Sequence, residues 1–310
     1  MSSVTNALSA SAPQKIVYYR HRLPVRILHW VNVVSLTILL LSGLGIFNAH
    51  PSLYWGKSSY SGRPAVLEIT SKAKAQIAGQ AEKTAESRDA LEEGNSGQKR
   101  GVLRVGRHEF DTTGILGVST SANGELNEHA FPSWLTIPGN YSLSESRLWH
   151  FFFAWLLFIN GFCYLIYALA SGHLRRDLIP DTQDIRGIGA SIVDHLKFKH
   201  PTGDAARRYN VLQKFAYLVV IFVLLPLVIL MGLAMSPMIN SVLPGWVDWF
   251  GGRQSARTIH FIVAWLLVAF VVIHVFEVVI SGLWNHLRSM ITGYFAVDAP
   301  STKGDHHESK

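Results

Sequence analysis

At 310 residues, 49% of them hydrophobic and only 16% charged, the chain carries too little charge for a soluble enzyme of its size, where about 25% is usual. Its formal net charge of +7 does not mark a nucleic-acid binder, because the basic residues flank apolar runs instead of forming a stripe with interleaved aromatics. The single cysteine, Cys163, lies inside an apolar run, which excludes an intrachain disulfide, a cysteine zinc site, an iron-sulfur cluster and covalent haem attachment through CxxCH. Any metal must be held by histidine.

In chain order, a polar segment 1–26 precedes the first apolar run, Ile27 to Phe47. That run is too long for a signal peptide and has no small-residue cleavage site, so it reads as a retained signal anchor. The insertion 48–147 follows. Its stretch Lys72 to Arg100 is rich in Ala, Glu, Lys and Ser and reads as polar helix or linker. Val102 to Ile137 reads as strands, with the Asn123-Gly124 pair suited to a tight hairpin, so a small folded cap is expected. Three more runs, Leu148–Ala170, Val211–Met235 and Thr258–Trp284, are long enough at about 1.5 Å per residue to cross about 30 Å of hydrocarbon. Residues 285–310 form a polar tail. The expected fold class is therefore an all-α membrane protein, a four-transmembrane-helix bundle with a long extracytoplasmic insertion of mixed or β structure between helices one and two.

Lysine and arginine orient it. Lys15, Arg20, Arg22 and Arg26 precede the first span, and Arg175, Arg176, Arg186, Lys197, Lys199, Arg207 and Arg208 fill the connection 171–210. The connection 236–257 holds only Arg253 and Arg257. By the positive-inside rule both termini are cytoplasmic and the insertion is outside, which for a bacterial chain means the inner membrane with a periplasmic cap. Trp30, Trp134, Trp149, Trp246, Trp249 and Trp284 fall at or near the expected membrane boundaries, where amphipathic rings contact lipid headgroups.

Four histidines fall in the spans, where a polar group is costly and a functional candidate. His29 lies near the inner start of span one and His150 near the outer start of span two, while His260 and His274 share span four. The step of fourteen positions from His260 to His274 brings the second imidazole back to within about 40° of the first and puts it about 21 Å further along the axis. By depth, His150 pairs with His260 and His29 with His274. Two haems b, each held by two neutral imidazoles, satisfy all four; two ligands per site are too few for zinc. Each histidine taken alone is equally well read as a polar residue bonded to a backbone carbonyl. Gly43, Gly45, Gly161 and Gly232 suit close approach of a flat macrocycle, although taken alone they read first as helix-packing positions. A different class, a proton- or metal-translocating protein that uses the same histidines without haem, is the alternative. A bifunctional protein whose insertion binds substrate is a third reading.

The run Arg26-Ile-Leu-His29-Trp30, then Trp149-His150-Phe151 and Arg257-Thr-Ile-His260-Phe261 with His274 beyond, resembles the membrane cytochrome b subunits of formate dehydrogenases and nickel-iron hydrogenases. The long insertion, Phe131-Pro-Ser-Trp-Leu-Thr-Ile-Pro138, Ser171-Gly-His-Leu-Arg-Arg-Asp177, Tyr209-Asn-Val-Leu-Gln-Lys214 and Gly251-Gly-Arg-Gln-Ser-Ala-Arg257 resemble the thiosulfate reductase cytochrome b type more closely still. The resemblance covers residues 18 to 290. It implies a diheme, quinone-reactive anchor of an extracytoplasmic, molybdopterin-type oxidoreductase subunit, with His150 and His260 on the outer haem and His29 and His274 on the inner one. Quinone would bind beside the inner haem near Asn210 and Gln213. Those two residues also fit a helix N-cap and capping box. Arg257, one turn before His260, suits a propionate clamp, and Arg253 is left open between that role and a solvated loop. Glu277 fits a proton relay or an ion pair with a cytoplasmic arginine. His173 with Arg175 and Arg176 fits a proton entry or topology charges, and His306-His307 sits in the charged tail. No catalytic triad, carboxylate pair or phosphate loop stands out, so substrate chemistry apart from quinone redox belongs to the partner.

Overall fold

The computed structural model describes residues 15–59, 64–73, 99–121, 124–197 and 210–298. Four helices are long and apolar enough to cross a membrane: Leu23–Asn48 (α1), Leu143–Ala170 (α2), Val211–Ala234 and Arg253–Ile280. The mostly helical chain, with strands between helices one and two, is a multi-pass membrane protein. Large apolar side chains such as Phe152, Phe158, Phe162, Val272 and Phe276 face outward along these helices, as a hydrocarbon solvent requires and water would not favour.

The helix ends follow local chemistry. Pro24 stands at the second position of α1, where its missing N–H costs nothing, and Pro51 lies just past the end of the helix. Helix α2 starts at Leu143, five residues before the apolar run, because Ser142 Oγ accepts from the Glu145 N–H (3.4 Å) and extends it by a polar turn. It ends at Ala170, and Gly172 just beyond has a φ of +68°, which suits a residue without Cβ. The fourth span begins at Arg253, after Gly251 and Gly252, and stops at Ile280, four residues short of the expected Trp284, because Gly282 turns left-handed (φ +106°).

Span three is not one uniform helix. After Thr182–Arg186 (α3) and Ile188–Leu196 (α4), Val211–Val219 (α5) leads into a wide π-turn at Val220–Leu224, and Leu225–Ala234 (α6) completes the span. Pro226 accounts for this: it has no N–H and its ring crowds the carbonyl four residues back, and a π-turn relieves both. At the start of α5 the buried Lys214 donates to Asp184 (2.6 Å), which also closes a capping box with Asp181. Lys214→Ala removes this ion pair. A loss of roughly 2 kcal/mol is expected, between about 0–1 for exposed pairs and about 3–5 for buried ones, read as a lower unfolding temperature by circular dichroism in detergent.

Contacts divide the chain into two compact units, one of Met1–Trp30, Phe162–Val223 and Val268–Lys310, the other of Val31–Gly161 and Leu224–Leu267. In the first, Lys15–Tyr19 (β1) pairs antiparallel with Tyr294–Asp298 (β8), so the two polar tails meet in a ribbon. Between them the helix Leu283–Thr292 (α9) is closed by Gly293. The second unit contains Pro237–Val242 (α7) and, as its fourth-span portion, the start of Arg253–Ile280 (α8).

The second unit also holds the insertion. Ser52–Leu53 (β2), Leu67–Ala73 (β3), Lys99–Val105 (β4) and His108–Asp111 (β5) form an antiparallel sheet in that order, and Ser119–Thr120 (β6) pairs with Leu126–Asn127 (β7). Lys72 and Arg100, the ends of the stretch expected to be polar helix or linker, pair with one another as strand residues; residues 74–98 between them lie outside the described residues, as does Asn123 of the expected hairpin turn. Gly124 of that turn has φ +82°. Leu53, Ile69, Ala130 and Phe131 bury against Leu44 and Phe47 of α1. Entry and exit of the insertion are stitched together by Asn48, whose amide donates to the Phe131 carbonyl (3.0 Å) and accepts from the Phe131 N–H (2.7 Å).

Candidate haem sites

Each of the two histidine pairs expected from depth lies within one unit. The His150 and His260 rings are 6.2 Å apart between centroids and inclined by 63°, and the His29 and His274 rings are 6.4 Å apart and inclined by 59°. A metal between two imidazoles at about 2.0 Å per bond, with about 1.1 Å more from each nitrogen to its ring centre, sets the centroids about 6 Å apart. Both pairs have the spacing that a single shared iron demands. Among the described residues no group of three or more His, Cys, Asp or Glu side chains converges, so the donor set on offer is a pair of imidazoles, as a planar macrocycle requires to complete its iron's coordination.

The hydrogen bonds at His150 and His260 assign the ring nitrogens. His260 Nδ1 lies 2.8 Å from the Val228 carbonyl, which can only accept, so Nδ1 carries the proton and Nε2 keeps a free lone pair. His150 Nδ1 lies 3.1 Å from Ser42 Oγ. The Ser42 hydroxyl hydrogen is already given to the Ile38 carbonyl (2.6 Å), so Ser42 accepts from His150 and the same tautomer results. Second-layer bonds of this kind orient metal-ligating imidazoles and raise their basicity. Sequence reasoning missed Ser42; a hydroxyl within a run of apolar residues was its signal, although Ser35 on the same helix carries the same signal without a partner. The carbonyl of Val228 has no signature in sequence at all.

Two of the four glycines stand at this pair. A Cβ on Gly43 would come within 3.3 Å of His150 Cε1, and one on Gly232 within 3.6 Å of His260 Cε1. Gly45 is a packing position, where a Cβ would strike Ser146 Oγ at 2.5 Å, and Gly161 faces open space. At the other pair Phe270 stacks on His274 (5.9 Å, 15°) and Trp30 meets His29 edge-on (5.5 Å, 88°), with the Trp30 indole donating to the Met290 carbonyl. His29 Nδ1 is buried without a hydrogen-bond partner, so no hydrogen bond fixes the tautomer of this ring as it does at the other pair. The residues present at both pairs thus fit a bis-imidazole haem.

The remaining candidates are placed as follows. Asn210 and Gln213 form the capping box of α5: Asn210 Oδ1 accepts from the Leu212 N–H (3.2 Å) and Gln213 Oε1 from the Asn210 N–H (3.3 Å), while the Ser191 hydroxyl also donates to Asn210. Tyr209 lies outside the described residues, as do His306 and His307. The Arg257 guanidinium donates to the backbone carbonyls of Ser52 (3.2 Å) and His50, and Arg253 is exposed at the helix start. Glu277 is half-buried on α8. His173 and Arg176, with Arg22, Tyr167 and Ser171, line a cavity of about 200 Å³. Beside it burial, the Arg20 guanidinium and His286 push His21 down to about 4, so its imidazole is neutral at physiological pH. Asn160 donates to Asn32 Oδ1 (2.7 Å), a buried amide pair joining spans one and two that sequence reading did not single out.

A sequence profile of prokaryotic cytochrome b561 matches residues 20–86 and 108–293. YedZ1 of Azospira oryzae, a relative named as a protein-methionine-sulfoxide reductase subunit, is 37% identical over 163 residues, which cover 53% of this chain and 77% of that one. A relative in Cupriavidus necator named as a Ni/Fe-hydrogenase B-type cytochrome subunit is 26% identical over 168 residues, 50% of this chain and 69% of its own. No solved structure matches the chain. With the profile spanning most of its length and imidazole pairs where haem iron would be held, the chain belongs to the prokaryotic cytochrome b561 family and is a haem b-binding membrane electron-transfer subunit.

Proposed function

We propose that the chain carries two haems b, one between His150 and His260 and one between His29 and His274, and passes electrons between the quinone pool and an oxidoreductase partner outside the cytoplasmic membrane. The observation that carries this reading is the matched spacing of the two imidazole pairs, 6.2 and 6.4 Å, each within its own unit. When bound, haem supplies reversible one-electron redox at iron. The protein's part is to hold neutral imidazoles in a fixed tautomer, through Val228 and Ser42, and to keep water from the rings with Phe270 and Trp30.

Both termini are assigned to the cytoplasm and the insertion to the periplasm, on the positive-inside distribution of lysine and arginine. This puts the His29–His274 pair on the inner side, with quinone beside it at Asn210 and Gln213. Their capping bonds use the Asn210 and Gln213 side-chain oxygens, while their amide N–H groups remain chemically suited to a quinone carbonyl. Arg257 and its neighbour Arg253 serve the outer side. Arg257 is assigned to a haem propionate as well, since its guanidinium has five N–H donors and the carbonyls of His50 and Ser52 do not exhaust them. The partner is an oxidoreductase subunit, taken to be of the molybdopterin type on the resemblance drawn from the sequence. The names of the Azospira and Cupriavidus relatives, a reductase and a hydrogenase subunit, support an oxidoreductase.

The test is haem content per chain on detergent-purified protein, by pyridine haemochrome and a reduced-minus-oxidised spectrum. Two haems b per chain are expected. A haem-free, correctly inserted protein would favour a proton- or metal-translocating role for the same histidines.

A further inference from the structure

The first residues of the insertion do more than leave the membrane. Running from His50 to Lys57, they lie against the N-terminal end of α8, the helix that presents His260 one to two turns later. A helix leaves its first N–H groups without intrahelical partners, and here they are met by this segment. The Gly56 carbonyl accepts from Gln254 N–H (3.1 Å) and Ser255 N–H (3.2 Å), and Ser255 Oγ accepts from the Gly56 N–H (2.8 Å). The Thr258 hydroxyl, almost wholly buried, donates to the Tyr54 carbonyl (2.7 Å). Arg257 donates to the carbonyls of Ser52 and His50. Lys57 pairs with Asp248 (2.8 Å) in the turn before the helix.

The approach depends on a glycine. Gly252 has φ +95°, and a Cβ there would lie 2.8 Å from the Lys57 Cα and 3.0 Å from the Gly56 carbonyl oxygen, which are backbone atoms that cannot rotate away. On its other side the segment belongs to the insertion's sheet: Ser52 and Leu53 pair with Glu68 and Leu67, and Leu53 is among the most buried side chains.

We infer that His50–Lys57 is a positioning strap, which ties the sheet of the insertion to the start of the His260 helix and thereby sets the orientation of the His260 imidazole that would hold the outer haem. This rests on the assignment of a haem to the His150–His260 pair. Thr258, Arg257 and Gly252 are positioning residues in it. The orientation and hydrogen bonding of a ligating imidazole are among the levers a protein has on haem iron, so this segment would bear on the redox properties of that haem.

The test is a redox titration of the two haems in purified full-length protein, combined with their low-spin electron paramagnetic resonance signals. The variants are Thr258→Val, which removes the hydroxyl at nearly constant shape, Thr258→Ser, which restores it, and Gly252→Ala. Thr258→Val and Gly252→Ala are expected to shift the midpoint potential and low-spin signal of the His150–His260 haem and to leave the other haem unmoved, with Thr258→Ser returning the wild-type values. Wild-type values for both haems in Thr258→Val overturn the strap, and so does an equal shift of both haems. If Gly252→Ala does not fold, Thr258→Val with its Thr258→Ser control decides. Absence of haem from the wild-type protein fails the haem assignment instead, so the two failures are told apart.

Discussion

His260→Ala is expected to halve the haem content, from two per chain to one, and to leave the His29–His274 haem with an unchanged spectrum. The physical ground is that on the proposed assignment each iron would have two protein ligands, and no third His, Cys, Asp or Glu converges on either pair among the described residues, so loss of one imidazole leaves no substitute. His150→Ala should behave alike, because Ser42 can hold that imidazole but cannot replace it. Both substitutions also open a cavity between helices, and a destabilised protein could lose haem indirectly. Gly232→Leu separates the causes: it keeps both ligands while pushing a side chain into the space where a single Cβ already comes within 3.6 Å of His260 Cε1. It should lose the same haem and no other. Retention of both haems in His260→Ala would refute the pairing.

The complementary substitution, His274→Ala, should remove the other haem and with it electron exchange with quinone, while the His150–His260 haem is still reduced by dithionite. On the proposed assignment its effect on turnover exceeds that of any change behind the ligands, because electrons would then have to cross the membrane without the inner haem. The measurement is reduction of the remaining haem by a soluble quinol analogue in proteoliposomes: rates at background are expected for His274→Ala and for His29→Ala. Gln213→Ala is the milder companion, since it removes both a capping bond to Asn210 and the proposed quinone donor. Normal quinol reduction of the outer haem in His274→Ala would overturn the order of the pathway.

Much of this architecture was legible before any fold was known. Spans could be read because a helix that crosses hydrocarbon must be long and apolar, and the histidine pairs because helical periodicity puts residues 260 and 274 on one face while depth selects their partners. The Asn210–Gln213 capping box was legible for the same local reason: it is built from residues three apart. Local signals also marked where helices begin and end, although the Ser142 cap moved one start and Gly282 one stop by several residues.

What sequence by itself determined, then, is the class of protein, its four spans and which histidines stand beside each other, since these depend on spacing along a helix, on depth and on the solubility of whole segments. Only the tertiary structure decided the tautomers of His150 and His260, the π-turn before Pro226, the ribbon of the two tails and the tie between His50–Lys57 and the helix of His260. Most of these are backbone carbonyls and N–H groups meeting partners far away in the chain. Every residue carries the same backbone groups, so their pairing leaves no mark in residue type and exists only once the chain has folded.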